Sequence, residues 1–355
     1  MRRYRVEIFD KDFQLISHAS VDSDDVDIRD DYVTLDTSEM TVPEQIIVER
    51  KNYAVLRNGT DIVYQGVVSD YEYKDGTTEI KCLPLLSFMD VQVYLKRSTL
   101  RNTAIETILK QKLEAVYANA DTLQKLTGLT ITTSGSTVNT SFSGNDDLVN
   151  LYDVAQEALR KYSILCKWGL DISNRKVTCS IEHISNATQI YIDLTVPDVI
   201  EHTIHIQAIA NSFNKIKYYN QDNPSQTITY YIHPDGSVNS TNSNRLTPVI
   251  YCERLAQEQD LDGVQLTWEQ VALGNAKSTM VNSSYDNEIT VTYMADSKLI
   301  KRGDVGQVYK LIDQNGVIYT SILTGYEADS SDTVTLLFGM IRTSLTSILR
   351  MERRS

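Results

Sequence analysis

Short runs of alternating apolar and polar residues, broken by tight-turn signals, recur along most of this chain and restrict it to folds built from many small strands. Tyr4, Val6 and Ile8 alternate with charged residues, the period-two pattern of a half-buried strand. Asp10-Lys11-Asp12-Phe13 reads as a turn, and Gln14-Leu15-Ile16 re-enters a strand. Further strands are expected at Gln45-Ile46-Ile47-Val48-Glu49, Tyr53-Ala54-Val55-Leu56-Arg57, Ile62-Val63-Tyr64-Gln65-Gly66-Val67-Val68 and Thr78-Glu79-Ile80-Lys81-Cys82-Leu83. Asn58-Gly59 is a hairpin signal because both residues tolerate positive φ, and Lys74-Asp75-Gly76 marks a second turn. Such closely spaced strands favour a small barrel or sandwich over residues 1–96.

The period changes after that. Ala104, Ile105, Ile108, Leu109, Leu113 and Val116 fall at helical spacing, with Thr103 as the expected cap. A second helix is expected over 146–162, capped by Asn145 or Asp146, with Leu148, Leu151, Tyr152, Ala155 and Leu159 as its apolar stripe. Residues 127–144 are rich in Thr, Ser and Gly and read as strand and loop. Ser163 to Trp168 and Lys176 to Ile181 form a hairpin across Ser173-Asn174-Arg175. Residues 97–188 therefore read as a small α+β domain.

Strands return over 189–342. Asn211 to Tyr219 and Gln226 to Ile232 pair across Asp222-Asn223-Pro224, a partly helical insertion lies near 252–283, and strands resume to about 338. Residues 343–355 form a basic tail, with Leu345, Ile348 and Leu349 at helical spacing and Arg350, Arg353 and Arg354 suited to a helix C-terminus. That tail is expected to dock on its own chain.

Composition and motifs narrow the function. The formal net charge is −13, which argues against wrapping nucleic acid, since that requires Lys and Arg to displace counterions. No apolar stretch approaches the roughly 20 residues needed to span a bilayer. The basic start, Met1-Arg2-Arg3, lacks the apolar core of a signal peptide, so synthesis in a cytoplasm without export is expected. Cys82, Cys166, Cys179 and Cys252 contain no C-x-x-C pair and read as reduced, mostly buried thiols. The acid run from Asp22 to Asp31 lacks the glycine and terminal glutamate of an EF-hand loop. His202 and His205 would share a helix face, but their β-branched setting suits a strand, which turns them to opposite faces. No H-E-x-x-H, G-x-S-x-G or phosphate-loop motif occurs, and no pair among the 47 acids stands out as a glycosidase pair. No catalytic, metal or cofactor residue is therefore nominated, and the chain is expected not to be an enzyme. The 21 tyrosines sit mostly in strand-like segments, where β-propensity accounts for them.

The order of pieces in the last third carries a resemblance. Asn211 to Tyr219 is followed by Tyr230-Tyr231-Ile232-His233-Pro234-Asp235-Gly236 and by Asn244-Arg245-Leu246-Thr247-Pro248-Val249. Leu323-Thr324-Gly325-Tyr326-Glu327 and Ile341-Arg342-Thr343-Ser344-Leu345-Thr346 close the pattern. This order resembles the tail-hub proteins at the tip of long-tailed bacteriophages, the family that includes the central hub of contractile tails. The resemblance implies an α+β, mainly β chain with two tube-like antiparallel β-barrel or sandwich domains and a smaller α+β insert. It implies a homotrimer forming a pseudo-sixfold ring, which joins the tail tube to a threefold tip and passes DNA without binding it specifically. Implied partners are the distal tail protein ring, tail-tube and tape-measure proteins, and receptor-binding or fibre proteins. The implied location is the virion tail tip. The chain stops soon after the hub-like region, so a hub without a lytic or receptor-binding extension is expected. Two other readings stand beside it: a host-surface carbohydrate-binding module using the tyrosines, and a cell-wall hydrolase of unrecognised class.

Overall fold

The structure is a computed structural model that describes residues 3–95, 104–118, 124–134, 147–184, 190–205, 215–232, 238–242, 250–256, 265–280, 287–294, 305–328, 333–340 and 342. The caps expected at Thr103, Asn145 and Asp146, the segment 135–144, His233, and the tail 343–355 lie outside the described residues.

The first β region contains β1 (Arg3–Phe9), β2 (Leu15–Asp22), β3 (Val26–Asp31), β4 (Ser38–Val42), β5 (Tyr53–Asn58), β6 (Asp61–Lys74), β7 (Thr77–Pro84) and β8 (Gln92–Leu95). Its turns follow local chemistry. Asp75 and Gly76 both take positive φ between β6 and β7, as a two-residue hairpin turn requires. At the β5–β6 turn Asn58 pairs with Asp61, so Gly59 and Thr60 are the central residues and Gly59 alone has positive φ. The turn is displaced by one residue from Asn58-Gly59.

One expected strand does not form. Residues 45–49 belong to no strand, although Ile46 and Val48 are buried. Side chains satisfy this backbone in place of a ladder. The Ile46 N–H donates to Thr78 Oγ1 (3.1 Å), Tyr73 donates to the Ile46 carbonyl (3.1 Å), and Ser17 donates to the Ile47 carbonyl (2.6 Å). The segment thereby straps β2 to the β6–β7 hairpin.

The middle region contains α1 (Ile105–Leu113), β9 (Thr130–Thr133), β10 (Asp147–Asn150), α2 (Leu151–Tyr162), β11 (Ile164–Asp171) and β12 (Lys176–His183). The second helix starts later than its apolar stripe suggested. Residues 147–150 pair with β8, Leu148 opposite Tyr94, and Leu148 is 64% exposed. Asn150 is the cap, its Oδ1 accepting from the Tyr152 N–H at 2.8 Å while its Nδ2 donates to Asp90. The β11–β12 hairpin turns at Ser173-Asn174-Arg175 as expected, and α1 and α2 pack on it around Leu109, Ala155, Ile164 and Ile181.

The last region contains β13 (Ile190–Asp193), β14 (Val199–His205), β15 (Lys215–Asn220), β16 (Thr227–Ile232), β17 (Val238–Asn239), β18 (Ile250–Leu255), α3 (Trp268–Thr279), β19 (Glu288–Met294), β20 (Val308–Ile312), β21 (Ile318–Ala328) and β22 (Thr333–Phe338). Residues 252–255, placed at the start of a helical stretch by sequence, are strand. The helix begins after Thr267, where Thr267 and Gln270 form a reciprocal capping box. β15 and β16 pair as expected.

The fold is mainly β, with large, mostly antiparallel sheets. Thirteen strands share one sheet along the path β14-β19-β22-β21-β3-β4-β7-β6-β5-β1-β2, with β13 and β20 branching from β21. Pairing closes no barrel among the described residues. Smaller sheets are β10-β8, β11-β12-β9 and β17-β16-β15-β18. The largest core draws on both β regions, from Val6, Ile8, Leu56 and Ile80 to Ile289, Leu311, Leu323 and Phe338.

Candidate functional site

The place where the chain's distant parts meet is the seam between β3 and β21. These strands pair antiparallel, Asp31 opposite Gly325, Tyr326 opposite Asp30 and Glu327 opposite Arg29. The contact is close. A Cβ on Gly325 would lie 2.6 Å from the Asp30 carbonyl oxygen and 2.7 Å from the Asp31 Cα, so only glycine lets the two backbones approach this far.

A buried ion pair locks the seam. Arg342 Nε donates to Asp31 Oδ2 at 2.8 Å and Nη2 to Asp31 Oδ1 at 2.7 Å, a bidentate geometry. Their side chains are 9% and 5% exposed. Arg342 also donates to Thr324 Oγ1 (2.6 Å) and to the Gly339 carbonyl (3.1 Å). Asp31 further accepts from the Val33 N–H (3.1 Å) and the Thr34 hydroxyl (3.3 Å). The chain positions 31 and 342 are thus joined by a latch that sequence reading did not find. In the sequence its members read only as one acid in a run and one cation in a closing motif.

Beside the latch, Tyr32 ties in the middle region. Its N–H donates to the Thr324 carbonyl (2.8 Å) and its hydroxyl accepts from the Cys166 N–H (3.2 Å). Its carbonyl accepts from the Tyr152 hydroxyl at 3.2 Å and from the Gln156 side chain. Gln65 pairs with the backbone of Leu170 as another peptide unit would, donating to its carbonyl (2.9 Å) and accepting from its N–H (3.1 Å). Tyr326 donates to the Val63 carbonyl. A cavity of about 420 Å³ sits where these parts converge, walled by Asp30, Tyr32, Gln65, Lys167, Trp168 and Thr324.

The residues weighed for chemistry are dispersed. Within the acid run, Asp22 pairs with Arg3 and Asp27 with Arg29, each at 3.1 Å, while Asp24 and Asp25 lie exposed in a short turn. Of the run's acids Asp31 is buried, and Asp30 is half-buried at the cavity wall. His202 and His205 lie on β14 opposite Val291 and Glu288, three residues apart on a strand and so on opposite faces. Among the described residues no three His, Cys, Asp or Glu side chains converge as metal ligands. All four cysteines are free, with Cys252 exposed and the others buried. Burial pushes the Cys82 thiol up to about 12. Cys179 is also raised, first by its hydrogen bond with Cys166 and then by burial. Both are neutral thiols at physiological pH, a form that is a poor nucleophile.

The seam's chemistry is thus that of a joint: it holds elements far apart in sequence and spends its polar groups on one another. Solved structures share the overall fold. No family model matches the chain, and no curated protein matches it. A tail protein from Neisseria meningitidis MC58 superposes with a TM-score of 0.52 at 10% identity, covering 96% of each chain. Prophage tail protein gp18 from Listeria monocytogenes superposes with a TM-score of 0.50 at 12% identity, covering 98% of each. The 43 kDa tail protein of prophage MuSo2 from Shewanella oneidensis gives 0.50 at 10% identity, covering 95% of this chain and 98% of its own. Over nearly its whole length, the chain has the fold of these tail proteins.

Proposed function

We propose that the chain is a structural component of a phage tail tip, a baseplate hub without catalytic activity. Three copies form a ring that joins the sixfold tail tube and distal tail ring to the threefold tip and leaves a channel for DNA. The observation that carries this reading is the end-to-end likeness to tail proteins from three different bacteria, 95–98% of this chain in each case, at identities of only 10–12%. That likeness runs along the whole chain, as suits a role exercised by shape.

The two β regions, 1–96 and 189–342, supply the tube-like parts of the ring, and 97–188 is the accessory insert. The seam supports this assignment. A ring protein must hold its two β regions at a fixed angle so that one repeated heterologous contact closes the circle. The β3–β21 ladder and the Asp31–Arg342 latch provide that rigidity. Distal tail and tube proteins are the partners, and DNA passes without specific binding, as suits a net charge of −13.

Light scattering after gel filtration, over a concentration series, tests the ring. A constant mass of three times 40.2 kDa is expected. A monomer at every concentration, with or without the distal tail protein, overturns it.

A further inference from the structure

The β17-β16-β15-β18 sheet packs α3 against one face. Ile216, Tyr218, Tyr230 and Ile232 turn toward the helix and join Trp268 and Ala272 in a small core. The alternate positions build the opposite face. Lys215, Lys217 and Tyr219 of β15 stand beside Tyr231 and Thr229 of β16 and Arg254 of β18, through the register pairs Lys215–Tyr231, Lys217–Thr229 and Tyr219–Arg254.

This face differs from the rest of the molecule. It carries three cations and, among the described residues, no carboxylate, on a chain whose net charge is −13. None of the three cations is ion-paired with a described residue. Lys217 Nζ lies 4.9 Å from the centre of the Tyr219 ring and Lys215 Nζ 5.6 Å from that of Tyr231. Each pair sets a cation beside an amphipathic ring.

We propose that this face binds an anionic glycan, a sugar polymer bearing phosphate or carboxylate groups. The unpaired ammonium and guanidinium groups would take the anions, the tyrosine rings the apolar faces of the sugars, and the threonine hydroxyl a sugar hydroxyl. Tyr219 and Tyr231 are offset by four strand positions, roughly 13 Å. An extended oligomer, not a single sugar, would touch both.

Two other occupants fit less well. A permanent protein interface has an apolar centre, whereas here the register puts Lys217 and Thr229 at the centre, with Ile250 at the edge beside Lys215. A nucleic-acid strand carries a charge on every unit and gains affinity by releasing many counterions. Three cations on a strongly acidic chain supply little of that, whereas a glycan with spaced charges meets less repulsion. The proposal is independent of the ring, whose test is the solution mass.

The experiment is calorimetric titration of the full chain with three probes: hyaluronate (a sugar polymer with a carboxylate on every second sugar), uncharged dextran and an oligothymidylate. The first is expected to bind, more weakly as salt rises. Lys217→Gln and Tyr231→Ala should each weaken it roughly tenfold, the scale of one charge-assisted hydrogen bond for the first and of one aromatic contact for the second. Lys310→Gln should leave it unchanged, although Lys310 also sits over a tyrosine, Tyr191, at 5.4 Å. Absence of binding, equal binding of dextran, tighter binding of the oligothymidylate, or indifference to Lys217→Gln and Tyr231→Ala would each overturn the proposal.

Discussion

Replacing Arg342 by alanine is the sharpest test of the seam. The bidentate pair it makes with Asp31 is nearly sealed, the side chains being 9% and 5% exposed. Removing the cation leaves a buried carboxylate whose remaining donors are the Val33 N–H at 3.1 Å and the Thr34 hydroxyl at 3.3 Å. Stranding one partner of a buried pair costs about 3–5 kcal/mol. Because two donors survive on Asp31, the lower end, about 3 kcal/mol, is expected. Urea unfolding followed by circular dichroism reads this directly. With a slope near 3 kcal/mol per molar, the upper end for urea, the midpoint of the phase that includes the seam should fall by about 1 M. The double variant Asp31→Asn, Arg342→Met removes both charges and should recover most of the loss, since replacing a whole buried pair is often neutral. A midpoint shift below about 0.3 M for Arg342→Ala would correspond to no more than about 1 kcal/mol, the scale of a solvent-exposed pair. Strict additivity of the two single changes would likewise show that no coupling exists. Either result would refute the latch.

Other outcomes follow from the same contacts. Gly325→Ala pushes a methyl into the Asp30 carbonyl and the Asp31 Cα, so β3 and β21 must part, at a cost of about 1–3 kcal/mol or more, read as a lowered Tm. An unchanged Tm would show that the strands are not in this close register. Gln65→Leu leaves the Leu170 N–H and carbonyl without their partner, costing about 1–3 kcal/mol per buried group, and hydrogen exchange at Leu170 should lose protection. Alkaline pH should destabilise the fold. Cys82 and Tyr53 are each raised to about 12, both chiefly by burial, so the unfolded chain gives up these protons first. Their contribution is intact below about pH 9 and is lost as pH climbs toward 12, by about 1.4 kcal/mol per pH unit for each ionising group. Stability that stays flat between pH 8 and 11 would contradict this; Cys82→Ala should reduce the slope.

What the sequence determined is what nearest neighbours along the chain determine. Alternation placed β1, β5, β6 and β7, and Asp75-Gly76 and Ser173-Asn174-Arg175 marked turns, because side-chain parity and backbone sterics act within a few residues. The order of pieces in the last third, from Asn211 to Thr346, carried the resemblance to tail proteins, whose fold the chain shares. Misplacements arose where a local signal was outweighed. Leu148 completes a helical stripe, yet β8 was available to pair with residues 147–150, and the helix waited for Asn150. Residues 45–49 have strand composition, but Thr78, Tyr73 and Ser17 satisfy their backbone from the side. Other features have no local signature. Nothing near Asp31 separates it from the acids before it until Arg342, 311 positions later, is brought alongside. Gln65 gains its meaning only from the backbone of Leu170, and Gly325 from the β3 strand it lies against. The tertiary structure alone decided these contacts, because a buried charge, an amide mimic and a close backbone approach are properties of a partner's position, and that position is set by the whole fold.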